Sequence, residues 1–171
     1  MSLTKPKIVA FCHTGLYSGA EVVLERVVGA AVRAGWSVTV LVPEGRARDR
    51  LAEAGAVVYP GPDLKLPFGS KALGMANRAV LSFEAARLLR REARDADLVL
   101  INSFHALPAL AVARLQVPSV WLLHQVITSR FRLALVRMTR RAGYFTVAVS
   151  EATITRPRCA SHGNSQFGSQ E

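Results

Sequence analysis

The stretch Ile8-Val-Ala-Phe-Cys12 runs directly into His13-Thr-Gly-Leu-Tyr-Ser-Gly-Ala-Glu21, and its reading decides the fold. The first five residues are a continuous apolar run of strand length. A glycine-bearing loop follows, and from Ser18 onward Val23, Leu24, Val27, Val28 and Ala31 recur at helical spacing. A strand, a glycine loop and a helix N-terminus in that order suit an anion, because unpaired backbone N–H groups and the helix dipole both face it. A phosphate-bearing ligand is the first expectation.

The same alternation continues along the chain. Helix 18–34 should stop at Gly35. Residues 37–42 read as a strand, 46–54 as a short helix and 56–59 as a strand. The run 60–69 is rich in proline and glycine and reads as a loop, longer than the roughly 2–6 residues usual in such units. Residues 71–94 form a long predicted helix whose apolar stripe is Ala72, Met75, Ala76, Ala79, Val80 and Phe83. A strand at 98–101, a helix at 106–115, a strand at 119–123, a helix at 129–142 and a strand at 144–149 complete the series. Continuous Val/Ile/Leu strands separated by helices predict a parallel sheet covered on both faces. The fold class is α/β, a doubly wound Rossmann-like sheet. The folded unit is expected over 5–152. Residues 153–171 carry no apolar periodicity and read as an irregular tail.

Half of the 171 residues are hydrophobic and 20% are charged, so a packed core is expected. No apolar run reaches the roughly 18–20 residues of a membrane span. Cys12 and Cys159 lack metal-ligand spacing and suit a reducing, cytoplasmic setting. The net charge is +10 and is carried mostly by arginine. It gathers in two predicted helices, on Lys71, Arg78, Arg87, Arg90, Arg91 and Arg94, and on Arg130, Arg132, Arg137, Arg140 and Arg141. Such a surface favours an anionic membrane or a polyphosphate, against the plain reading of a solvated face. Aromatic residues do not interleave with the arginines, so no specific nucleic acid is expected.

Ligands of open parallel sheets lie beyond the carboxyl ends of the strands. Those ends carry His13, Asn102 with Ser103, His124, and Ser150 with Glu151. Each has a structural alternative. Ser18 and Glu21 spell a capping box. Gly15 and Gly19 either turn the chain or let a phosphate approach. His124 could be a hydrogen-bonded residue at the edge of the core. Asn102, Ser103 and Ser150 are ordinary helix-start residues, and His105 and Glu151 could be surface groups. The loop lacks G-x-G-x-x-G, and Glu44 is a weak candidate for a ribose-binding carboxylate. No P-loop, zinc or serine-hydrolase signature occurs, so no metal or cofactor is expected.

Taken together, the segments resemble the N-terminal domain of family 4 glycosyltransferases of GT-B architecture. The resemblance is carried by five passages in order. They are His13 through Ser18-Gly-Ala-Glu21, Arg33-Ala-Gly-Trp-Ser-Val-Thr-Val40, Asp97-Leu-Val-Leu-Ile-Asn102, Pro118-Ser-Val-Trp-Leu-Leu-His124, and Val147-Ala-Val-Ser-Glu151. It implies a retaining transferase that takes a nucleotide-diphosphate sugar as donor substrate in a cleft between two Rossmann domains. It implies that this half serves the acceptor, with His13, Glu21, Asn102, Ser103, Ser150 and Glu151 lining the cleft. By the same resemblance the loop at Gly15, Ser18 and Gly19 would approach the donor diphosphate, and His124 would be the catalytic residue contacting the transferred sugar. A lipid-linked acceptor would give the basic helices a role at the inner membrane surface.

Two departures bear on activity. Ser18 replaces the first glycine of the family's Gly-Gly-Ala-Glu loop. Beyond Glu151 the family continues into a second domain, and residues 153–171 show no similarity to it. The expectation is a truncated or split transferase, inactive alone and completed by a donor-domain chain. The alternative is a non-catalytic Rossmann-like binding or interaction module.

Overall fold

The computed structural model describes residues 5–64, 71–124, 130–139 and 143–148. Six strands, β1 (Lys7–Phe11), β2 (Ser37–Val42), β3 (Val57–Pro60), β4 (Leu98–Ile101), β5 (Ser119–Leu123) and β6 (Tyr144–Ala148), form one sheet. Every pairing is parallel and the order is β3-β2-β1-β4-β5-β6. This is the doubly wound Rossmann-like arrangement. Among the described residues, five helices connect the strands: α1 (Gly19–Arg33), α2 (Arg46–Glu53), α3 (Lys71–Glu92), α4 (Leu107–Ala113) and α5 (Arg130–Thr139).

The period-2 alternation of the central strands divides the core in two. Ile8, Ala10 and Cys12 of the first strand and its end pack with Val38, Val40 and Val42, beneath Leu24 and Val28 of α1 and Leu51 of α2. Val9, Phe11, Leu41, Val99, Ile101 and Trp121 face the other way, against Ala85, Ala86 and Leu89 of α3 and Leu107 and Leu110 of α4. The direction in which successive strands are added reverses between β1, whose next strand β2 lies on one side, and β4, whose next strand β5 lies on the other. The crevice beyond the carboxyl ends of these two neighbours is where such sheets hold ligands.

The predicted boundaries shift by one or two residues at most ends. Gly35 terminates α1 with φ +87°, the left-handed backbone a glycine adopts without strain. The predicted helix 106–115 is shorter, because a 3-10 turn at Phe104–Ala106 precedes α4 and Arg114 leaves the helix at φ +47°.

One expectation is overturned. The predicted core stripe of α3 included Ala79, Val80 and Phe83, yet all three are exposed, Val80 and Phe83 to 65%. Ser82, Ala85, Ala86 and Leu89 face the core instead. The helix carries small or apolar residues around its whole circumference, so periodicity alone does not choose a face. Close packing of α3 on α4 selects the alanine-rich side. The side chains of Ala72, Met75 and Ala76, the second half of the loop 60–69, and the tail 153–171 lie outside the described residues. So do Cys159, Arg140 and Arg141, and the side chains of Lys71, Arg130 and Arg132.

Candidate functional site

Three strand ends build the site. Cys12 and His13 follow β1, Asn102 follows β4, and His124 follows β5. Asn102 is tied to the sheet by its N–H, which donates to Phe11 O at 3.1 Å. Its side chain is fully buried and bridges two neighbours. The amide Nδ2 donates to Glu21 Oε1 at 3.4 Å, and Oδ1 lies 2.8 Å from His124 Nε2. Since Oδ1 can only accept, the proton of a neutral His124 sits on Nε2. Burial holds the His124 pKa below its ordinary value, against the opposing charge of Glu21. The ring is therefore neutral near pH 7, with Nδ1 as its acceptor atom.

Glu21 is the unusual member, a carboxylate only 1% exposed. Its burial is compensated at both oxygens. Oε2 accepts the Ser18 N–H at 3.2 Å and the Ser18 hydroxyl at 2.6 Å, and Oε1 faces Asn102. It also stands in the first turn of α1, where the dipole favours negative charge. The capping box is thus real, and it is also one link of a continuous hydrogen-bonded row, His124–Asn102–Glu21–Ser18. Cys12 Sγ completes the buried side, 3.3 Å from Thr14 O and 3.9 Å from Glu21 Oε1. Burial pushes the Cys12 thiol up to about 12.

Ligand atoms of Cys12, His13 and Glu21 fall within 4.8 Å of one another. They do not fit a metal. The ligating form of cysteine is the thiolate, whereas this thiol is held protonated. The Glu21 oxygens are already engaged by Ser18 and Asn102.

The two loop glycines part company. A Cβ on Gly15 would stand 1.8 Å from Glu44 O, so Gly15 is required for close approach to the β2–α2 connection. That connection is stapled by Ala47 N–H donating to Gly15 O at 3.0 Å. Gly19 has nothing within 4 Å of its Cβ position and is exposed beside Ser18. Its packing does not demand glycine. Tyr17 anchors the loop further, its hydroxyl bonding Glu25 and its ring lying 5.6 and 5.7 Å from the Arg46 and Arg50 guanidinium groups. Glu44 pairs with Arg48 on the surface.

A second group adjoins the first. Ser103 caps the 3-10 turn, its hydroxyl accepting the His105 N–H at 3.2 Å. That places the His105 ring in a stack with His13, with centroids 5.1 Å apart and planes 11° from parallel. His105 is therefore half-buried, not a surface group. Arg78 of α3 reaches it, with Nη2 2.8 Å from His105 Nδ1. Burial lowers the Arg78 pKa. Sequence reasoning counted Arg78 among the surface arginines and Cys12 as a plain core residue. Nothing in local spacing marks either, since their partners lie on other elements. Ser150 and Glu151 lie outside the described residues.

The comparisons with known proteins agree with this architecture. Among curated proteins, none matches the sequence. Among solved structures, MurG of Acinetobacter baumannii is similar with TM-score 0.60 and 15% identity, over 89% of this chain and 43% of that one. Anabaena HepE in complex with UDP and glucose is similar with TM-score 0.55 and 20% identity, over 84% and 44%. The calicheamicin glycosyltransferase CalG4 is similar with TM-score 0.52 and 18% identity, over 83% and 42%. At these identities the likeness is one of fold, and the chain spans less than half the length of each. The model of Glycosyltransferase Family 4 matches residues 17–156, most of the chain. A Rossmann-like sheet, its switch-point row and this match lead to one conclusion: the chain belongs to glycosyltransferase family 4, with the architecture of a GT-B N-terminal domain.

Proposed function

We propose that this chain is the acceptor-side domain of a retaining glycosyltransferase that uses a nucleotide-diphosphate sugar and acts only when joined to a donor-binding domain. The observation that carries the reading is the His124–Asn102–Glu21–Ser18 row, which links the end of β5 to the exposed N-terminus of α1. Rigid dipoles aimed at developing charge are the main means of stabilising such a transition state. In the proposed step the acceptor oxygen bonds to the anomeric carbon on the face the diphosphate leaves. The C–O electron pair departs with the diphosphate, which takes the acceptor's proton. With the Ser18 N–H taken by Glu21, the exposed N–H of Gly19 at the start of α1 would meet the charge gained by the diphosphate. His124, with Nε2–H spent on Asn102, would accept a hydrogen bond from a hydroxyl of the transferred sugar at Nδ1. Asn102 and Glu21 act as positioning residues for it.

A peripheral membrane contact belongs to the same reading. Val80 and Phe83 are exposed on α3, and Arg87, Arg90 and Arg91 are exposed on the same helix. Apolar side chains beside cations suit an anionic interface. No described helix is long and apolar enough to cross a membrane.

The test is reconstitution. The chain is combined with a separately produced donor-binding domain of a family 4 transferase, and release of nucleoside diphosphate is followed over a panel of sugar nucleotides and acceptors. Transfer that requires both chains, with retained anomeric configuration, is expected. Turnover by the chain alone would overturn the proposed dependence, and inverted product would overturn the retaining step. Absence of sugar-nucleotide binding by either preparation would leave a non-catalytic Rossmann-like module.

A further inference from the structure

A polar groove of about 420 Å³ runs between α1 and the end of α2, with Glu25, Arg26, Gly29 and Arg33 on one wall and Arg50, Glu53 and Ala54 on the other. Its carboxylates are already engaged. Arg50 Nη2 pairs with Glu25 Oε1 at 2.8 Å and Nη1 with Glu53 Oε2 at 2.9 Å, and the Tyr17 hydroxyl donates to Glu25 Oε2. Arg26 and Arg33 form no ion pair among the described residues. They stand on one face of α1 with Gly29 between them. Arg33 lies back along the helix, its Nη1 3.2 Å from where a Cβ of Gly29 would stand. The helix dipole accounts for a cation at Arg33, in the last turn, and not for Arg26 in the middle. Gly29 points the same way. It is buried in the helix interior, where glycine is less favourable than alanine. Packing does not require it, since its Cβ position meets only the Arg33 guanidinium, the far end of a flexible side chain. Its missing side chain opens the floor of the groove beside that guanidinium.

We propose that this groove is a binding site for a phosphate group, held by Arg26 and Arg33 over Gly29. A planar guanidinium fork meets two phosphate oxygens at once, and a second arginine approaches the anion from a different direction. The groove is larger than a bare phosphate needs and falls in the range of roughly 300–1,000 Å³ of small-molecule sites. The exposed Glu53 carboxylate at its rim can accept hydroxyl groups of an attached carrier. The site lies about two turns along α1 from Glu21, apart from the strand-end row, and stands whether or not the chain transfers sugar.

The phosphate is either esterified to a small polyol or free, and two ligands separate the cases. The full chain is titrated with glucose 6-phosphate and with inorganic phosphate at constant ionic strength. The backbone amide resonances of Gly29 and Ala54 report the groove, and calorimetry reports affinity. Saturable shifts at both amides are expected with at least one ligand. Affinity should fall at least about tenfold in Arg33→Gln and in Arg26→Gln, and hold in Arg94→Gln, an exposed arginine beyond α3. Gly29→Leu should abolish binding while melting no lower than the wild type, since leucine is the better helix former. Tighter binding of glucose 6-phosphate assigns an ester, and equal or tighter binding of inorganic phosphate assigns free phosphate. No saturable shift with either ligand overturns the site, as does undiminished affinity in folded Arg33→Gln and Arg26→Gln or in Gly29→Leu. An equal loss in Arg94→Gln also overturns it, because that would mark diffuse attraction to a chain of net charge +10.

Discussion

Asn102 is the residue on which the site turns, because among the described residues it joins His124 to Glu21 by hydrogen bonds. Asn102→Leu removes a donor from a buried carboxylate and an acceptor from a half-buried histidine. Stability should fall by about 1–3 kcal/mol for each group left unpaired, read from urea denaturation; an unchanged midpoint would refute the network. Cys12 and His124 predict opposite pH signatures. The Cys12 thiol rises from 9.0 in the unfolded chain to about 12 when folded, so its contribution is complete below pH 9 and is lost as pH climbs toward 12. The His124 pKa is depressed from 6.5, so its contribution is complete above that pH and is lost as pH falls below it. Cys12→Ala should flatten the alkaline limb of stability against pH, and His124→Gln the acid limb. Cys12 should also resist iodoacetamide at pH 8 in the folded chain and react in denaturant, as peptide mapping would show. At the glycines, Gly15→Ala should cost more than about 3 kcal/mol, since backbone atoms block its Cβ. Gly19→Ala should leave the melting curve nearly unchanged and weaken only sugar-nucleotide binding in the reconstituted enzyme.

Among the elements, α3 separates legible from illegible information. Its existence was clear from sequence, yet its buried face was not, because alanines and leucines occupy every side. Leu89→Ala should lose about 2–5 kcal/mol, whereas Phe83→Ser should stay within about 0.5 kcal/mol. Equal losses at the two positions would mean that the described face is wrong. Arg90 shows the same limit. It reads as surface charge, yet its Nε donates to Ala113 O at 2.8 Å and Nη2 to Val112 O at 2.5 Å. These are the last carbonyls of α4, where a cation is favoured by the helix dipole. The strands were easier. Parallel strands buried on both faces are continuous apolar runs, and β2, β4 and β5 stand where that pattern puts them.

At the scale of the molecule, the doubly wound order brings the ends of β1, β4 and β5 side by side, although they are distant in sequence. In the reconstituted enzyme, His124→Ala should lower kcat at least about tenfold, the worth of one hydrogen bond of about 1.4 kcal/mol to the transferred sugar. A loss confined to KM would assign His124 to uniform binding instead.

The sequence by itself determined the alternation of strands and helices, the parallel sheet, and the short set of polar residues at the strand ends. These follow from hydrophobic periodicity and from the few topologies such alternation permits. Only the tertiary structure decided which of those residues touch. Glu21 proved to be both a cap and the buried partner of Asn102, Gly15 a close-approach residue and Gly19 an open one, and Arg78 a neighbour of His105 rather than one more surface charge. The physical reason is that hydrogen bonds between elements depend on rotamers and on which helix face the core accepts. Both are set by packing across the sheet, which leaves no period in the chain.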